Sequence, residues 1–147
     1  MNKDIDILIS EVGPRDGLQN TKVFMTTEYK KKWISAAAAA GLREIEVCSF
    51  VPPKLIPQMA DADEVMGRIS RRPGTNYKVL VPNLKGAERA IAAKADALEL
   101  VIVASESFNR KNVGMSVDQS IAACAEIAAA AATHSVPLEV VIGTSFG

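Results

Sequence analysis

The sequence predicts an α/β protein built on a parallel sheet covered by helices, and three observations carry that expectation. Five apolar strand candidates alternate with four helix candidates along the 147 residues. The strands are dominated by Val, Ile and Leu, as strands buried on both faces are. The longer non-helical stretches, residues 13–26, 49–60 and 104–115, all follow strands rather than helices. That is the side on which α/β proteins enlarge their loops to hold a site.

The first strand is predicted over residues 5–12, from the apolar stretch Ile5 to Ile9 onward. A helix over 27–40 follows; its alanines give strong helix propensity and let it lie close to the sheet. Gly41 ends it in the position where a left-handed residue is favoured. Lys30, Lys31 and Lys32 read as the solvated face of this helix. The second strand spans 44–48, and the helix over 63–71 begins with Asp61 and Glu64 in the spacing of an acidic capping box. The third strand, 78–81, leads through Pro82 to Asn83, whose side chain suits capping of the helix over 84–94. The fourth strand is 97–103. Ser116 and Gln119 form a capping box for the last helix, 117–134, and Pro137 blocks its continuation into the fifth strand, 138–143. No Ser/Gly-rich linker or low-complexity segment interrupts the series, so residues 1–147 read as part of one domain.

Composition narrows the function classes. Hydrophobic residues make up 48% and charged residues 23%, which excludes wholesale disorder. Acidic and basic side chains cancel at 17 each, so no footprint for nucleic acid or an anionic membrane arises. No apolar run reaches the roughly 18 residues that span a bilayer. The residues from Met1 to Asp4 carry neither a signal-peptide core nor an Arg-rich transit segment. Cys48 and Cys124 lack metal-site spacing and read as free thiols in a reducing compartment, so a cytoplasmic location is the expectation.

Candidate site residues gather after the strands. Glu11-Val12-Gly13-Pro14-Arg15-Asp16-Gly17-Leu18-Gln19-Asn20 places a cation and a carboxylate side by side beyond the first strand. Such a pair can hold and polarise an oxyanionic substrate, or simply neutralise itself. In the second strand, period-two alternation turns Ile45 and Val47 toward the helices and Glu44, Glu46 and Cys48 to the interior of a curved sheet. A carboxylate buried at Glu46 must be paired, ligated or protonated. Spacing leaves open a catalytic role or a structural ion pair with Arg15 or Arg43. Glu99 and Glu139 are single carboxylates in apolar strands, placed by their early positions in a structural layer toward the floor. Pro52, Pro53 and Pro57 stiffen the loop after Glu46 into a rim. The polar loop from Ser105 to Asn112 ends its run with Arg110 and Lys111 and could receive a phosphorylated or thioester substrate. His134, the sole histidine, suits a helix C-terminus better than a metal site. No Gly-rich phosphate fingerprint is present.

The string from Glu11 to Asn20 resembles the first-strand signature of the 3-hydroxy-3-methylglutaryl-CoA lyase family. Ile45-Glu46 running into Ser49-Phe50-Val51, then Pro57-Gln58-Met59, Pro82-Asn83-Leu84-Lys85-Gly86, and Ala104-Ser105-Glu106 with Lys111-Asn112 extend the resemblance over essentially the whole chain. It implies a partial TIM (β/α)8 barrel, since 147 residues fall well short of the roughly 250 of a complete one. It also implies a retro-Claisen cleavage of 3-hydroxy-3-methylglutaryl-CoA to acetyl-CoA and acetoacetate. Asp16 would then be a ligand of a divalent cation, Mg2+ or Mn2+, and Arg15 would bind substrate and stabilise the enolate. Glu46 would join the proton relay; Gln19, Ser49 and Asn112 would line the substrate pocket. The family's His-x-His ligands, a further Asn ligand and a catalytic Cys in a late Gly-rich loop have no counterpart before Gly147. The expectation is therefore the amino-terminal portion of a lyase, a truncation or gene fragment inactive by itself. It would self-associate or be completed by a complementary carboxyl-terminal half. The alternatives are a Claisen-type synthase of the isopropylmalate or homocitrate kind, which shares the Arg-Asp-Gly core, and a non-catalytic fragment.

Overall fold

Strand propensity and helix capping assemble these segments into one parallel sheet, seen in a computed structural model that describes residues 7–146. The strands are β1 (Ser10–Glu11), β2 (Glu44–Ser49), β3 (Asn76–Leu80), β4 (Ala97–Val103) and β5 (Leu138–Gly143), paired in sequential order β1-β2-β3-β4-β5. Every pairing is parallel. Helices α1 (Thr27–Ala39), α2 (Ala62–Arg68), α3 (Leu84–Ala92), α4 (Glu106–Val113) and α5 (Val117–Thr133) complete the order, with a π turn at Gly13–Gly17 and a 3-10 turn at Pro57–Met59. This is the sequential, helix-covered arc of a (β/α)8 barrel.

The core lies between the sheet and the helices. Ile45, Val47, Val79 and Leu98 from the strands, and Val81 just past β3, meet Ile34, Val65, Ala87, Ala90 and Ile127 from α1, α2, α3 and α5, all at 1% exposure or less. The capping box of α5 forms as expected, with Ser116 and Gln119 bonding reciprocally. Asn83 Oδ1 accepts from the Gly86 amide at 2.9 Å. Gly41 takes φ +91° past the end of α1, a conformation natural to glycine.

Several expectations are corrected. The first strand shrinks to two residues: Ile7, Leu8 and Ile9 are exposed by 78%, 56% and 68%, and Ile5 lies outside the described residues. Asp61 makes no capping bond to α2, because its carboxylate is already taken by Lys30 and Thr27 of α1. Lys30 is accordingly buried, bound also to the Gln58 carbonyl, and is not on a solvated face. Helix α2 stops at Arg68 because Ile69 turns extended and enters the core. The loop between β4 and α5 contains a helix, α4, capped by Ser105 and closed by Gly114 at φ +73°. Its Asn109 is fully buried: its oxygen accepts from the Val103 amide, while its nitrogen donates to Ser120 Oγ and to the Met115 and Ser116 carbonyls. Asn109 thereby ties β4, α4 and α5 together.

Candidate active site

The turn after β1 is built to project two charges. The Val12 carbonyl accepts from the amides of Arg15, Asp16 and Gly17, and Gly13 has no room for a side chain, since a Cβ there would lie 2.6 Å from the Trp33 ring. Arg15 therefore leaves the turn over the carboxyl end of β2. Its Nε and Nη2 donate to the two Glu46 oxygens at 2.7 and 2.8 Å, a planar fork on a carboxylate. Nη1 donates to Asp16 Oδ1 at 2.8 Å. Both pairings left open by the sequence are thus realised on one guanidinium, and Arg43 takes no part.

Glu46 is completely buried. Burial pushes its carboxyl up to about 7, against the pull of Arg15 and with the help of the nearby Glu99 charge. Below this pair runs a polar layer in which Lys78 lies 2.8 Å from Glu99, 3.0 Å from Glu139 and 3.1 Å from Glu44. Burial would lower the Lys78 ammonium's pKa, but its hydrogen bonds to Glu99, Glu139 and Glu44 outweigh that and raise it. Glu99 is not confined to a separate floor: its Oε1 is 3.7 Å from Arg15 Nη2. The two cations of this layer face four carboxylates, Glu44, Glu46, Glu99 and Glu139. Burial is the main cause of the proton affinity of Glu46, and among these carboxylates Glu99 adds to it as a nearby like charge. Sequence reasoning passed over Lys78, although a lone lysine opening an apolar strand, in phase with inward carboxylates, is the signal that marks it.

Parity fails at Cys48. Along β2 the register advances three residues from Glu46 to Ser49 while β3 advances two, from Lys78 to Leu80. This bulge returns Ser49 to the phase of Glu46 and turns Cys48 to the helices, where its thiol donates to the Ala62 carbonyl at 3.9 Å. Burial, and then the Asp61 charge, push that thiol far above its ordinary range. Ser49 is fully buried with no partner for its hydroxyl.

Arg15, Gln19 and Asn112 line one cleft of about 730 Å3, walled by Val51, Pro52 and Leu55 of the proline-rich rim. Asp16 stands at half exposure beside it, and Ser49 is not among the lining residues. Among the described residues no three His, Cys, Asp or Glu side chains lie close enough to hold a metal ion. Asp16 by itself does not amount to a metal site. His134 bonds the Ala130 carbonyl at the end of α5, a structural role. Among the described residues no helix is long and apolar enough to cross a membrane.

A family model described as HMGL-like matches residues 6–145. The cytoplasmic 3-hydroxy-3-methylglutaryl-CoA lyase of Rattus norvegicus is 43% identical over 141 residues, which are 96% of this chain and 41% of that protein. The chain thus spans about two fifths of the length of such relatives. Among solved structures, the HMG-CoA lyase of Bacillus subtilis superposes with a TM-score of 0.93 at 39% identity, covering 96% of this chain and 47% of that one. The HMG-CoA lyase of Acinetobacter baumannii in complex with coenzyme A and 3-methylmalate gives 0.90 at 38%, covering 95% and 46%.

Proposed function

The chain belongs to the HMGL-like family, and from that premise we propose that it contributes the Arg15, Asp16 and Glu46 part of a hydroxymethylglutaryl-CoA lyase site. The reaction is cleavage of 3-hydroxy-3-methylglutaryl-CoA to acetyl-CoA and acetoacetate. The observation that carries this reading is the Arg15 guanidinium, held between Glu46 and Asp16 at a cleft that also presents Gln19 and Asn112.

In retro-Claisen cleavage a base removes the proton of the tertiary hydroxyl. The carbon–carbon bond then breaks to a ketone and the enolate of the thioester, and the enolate is protonated. A fixed guanidinium at the cleft favours the state in which negative charge develops on the thioester oxygen. Glu46, titrating at about 7, can both accept and return a proton near neutrality. Gln19 and Asn112 can orient the polar groups of the acyl chain. Ser49 is buried outside the cleft lining with no partner for its hydroxyl, so it takes no direct part in this reading.

A divalent cation, Mg2+ or Mn2+, is the cofactor of this reading. Asp16 supplies one hard oxygen ligand, and an ion there would polarise the substrate oxygens. The acyl-CoA thioester is the partner. The free thiols Cys48 and Cys124 suit the reducing cytoplasm.

The test is a cleavage assay on the intact gene product with 3-hydroxy-3-methylglutaryl-CoA and either ion, run beside condensation of acetyl-CoA with pyruvate. Acetoacetate release without condensation supports the lyase. Condensation without cleavage replaces it by a synthase.

A further inference from the structure

Glu99 offers the Arg15 guanidinium a second place to bind. Arg15 Nη2 is 2.8 Å from Glu46 Oε2 and 3.7 Å from Glu99 Oε1, so two carboxylates compete for one edge of the same fork. The Glu99 side chain is 8% exposed and cannot rely on water for its solvation. Its other oxygen lies 2.8 Å from Lys78 Nζ. Lys78 comes from the neighbouring strand β3 and is itself held by Glu44 and Glu139 of β2 and β5, so four adjacent strands fix its position.

We propose that Lys78 is a positioning residue: by holding Glu99 it keeps the Arg15 fork on Glu46 and leaves Nη1 free to meet Asp16 at the cleft. Without the lysine, Glu99 is a buried carboxylate whose nearest cation is Arg15. A buried carboxylate takes the nearest strong donor. Nη2 would swing down to Glu99, the bidentate bond to Glu46 would open, and the guanidinium would leave the position facing the cleft. Lys78 touches neither the cleft nor Arg15, so its influence runs through Glu99. The geometric claim stands on the ion pairs alone; its catalytic consequence rests on the lyase reading above.

The test uses the intact gene product labelled with 15N-arginine at pH 8, above the range in which Glu46 titrates, without divalent ion. The readout is water exchange of the Arg15 Nε–H proton, assigned by its loss in Arg15→Lys. Lys78→Met is expected to speed that exchange about fivefold or more, because a charge-assisted bond of 2.7 Å is lost. Adding Glu99→Gln removes the competitor and should bring the rate back to that of the unmutated protein. Glu99→Gln alone should leave it unmoved.

A purely structural lysine would not give this pattern. An unchanged rate in Lys78→Met overturns the proposal, and so does failure of Glu99→Gln to restore it. Where Lys78→Met does not fold, the double variant keeps the test: faster exchange there than in Glu99→Gln means that Lys78 acts otherwise than through Glu99. In the cleavage assay kcat/KM should fall roughly tenfold or more in Lys78→Met and recover in the double variant, as expected for a displaced catalytic group. Absence of turnover in the unmutated protein would count against the lyase reading, while the exchange measurement would still judge the role of Lys78.

Discussion

Arg15 makes three short bonds through three nitrogens, two to Glu46 and one to Asp16, which only a planar fork can do. Lysine in its place keeps the charge but offers a single point, so it must choose between the two carboxylates. If that cation stabilises the enolate, Arg15→Lys should reduce cleavage by about two orders of magnitude, the scale of losing an oxyanion donor. Turnover close to that of the unmutated protein would remove Arg15 from the chemistry. Glu46 makes a second prediction at the same scale. Its carboxyl rises from 4.5 to about 7 on folding, so the folded chain binds a proton that the unfolded chain has released. Stability from this group is complete below about pH 4.5 and is lost as pH climbs toward 7. The loss is on the order of 3 kcal/mol by linkage. Glu44, Glu28 and Glu106 shift the opposite way, so their effect falls at lower pH and does not mask the slope. Urea midpoints in metal-free buffer between pH 4.5 and 7.5 should fall with pH, and Glu46→Gln should flatten the curve.

At the scale of elements, β2 shows both how far the sequence was legible and where it misled. Period-two alternation put Glu46 on the interior face because nothing disturbs the pleat before it. It failed two residues later because a bulge adds a residue, and no signal in Val47-Cys48 announces one. The same distinction runs through the site. Arg15, Gln19 and Asn112, which line one cleft, belong to a contiguous motif and a loop that carry the family resemblance. The layer of Lys78 and Glu99 depends on register between strands that no single segment encodes. A three-lysine run looks solvated in sequence, but Asp61 at the start of α2 takes up Lys30 in the fold. Helix α4 gives little signal in sequence, because its segment is short, polar and lacks an apolar stripe. The bulge has a chemical consequence: Cys48 is buried with its thiol pKa raised, whereas Cys124 is only partly buried. A thiol reagent under native conditions should label Cys124 alone, and labelling of Cys48 at a comparable rate would contradict the bulge. Gly86, in the first turn of α3, tests the packing of that helix on β2. A Cβ there would lie 2.8 Å from Pro82 Cδ and 3.1 Å from the Phe50 carbonyl, neither of them the end of a flexible chain. Gly86→Ala should therefore cost roughly 1–3 kcal/mol by overpacking, measured as a fall in the urea midpoint; a gain in stability would mean that α3 can move away.

For the whole molecule, the sheet decides how residues 1–147 behave when isolated. A closed barrel has no edges, but here β1 and β5 each have a strand neighbour on one side only among the described residues. The β5 edge is six residues long, and its Val140, Val141 and Ile142 are exposed by 39%, 38% and 60%. At the other end Ile7, Leu8 and Ile9 are each more than half exposed. Unpaired backbone groups beside apolar side chains are a template for further strand pairing. We predict that the isolated 147-residue chain associates with itself, and that charge on the β5 edge suppresses it. Light scattering across a dilution series should show a mass above that of one chain. The double replacement Val140→Lys with Ile142→Lys should lower it toward one chain, because like charges on a pairing edge oppose it. Asp16 alone cannot organise a metal ion, so the isolated chain should also release no acetoacetate at saturating Mg2+ or Mn2+. A monomer that turned over substrate would show that one arc of the sheet holds the whole machinery and that its open edges are harmless.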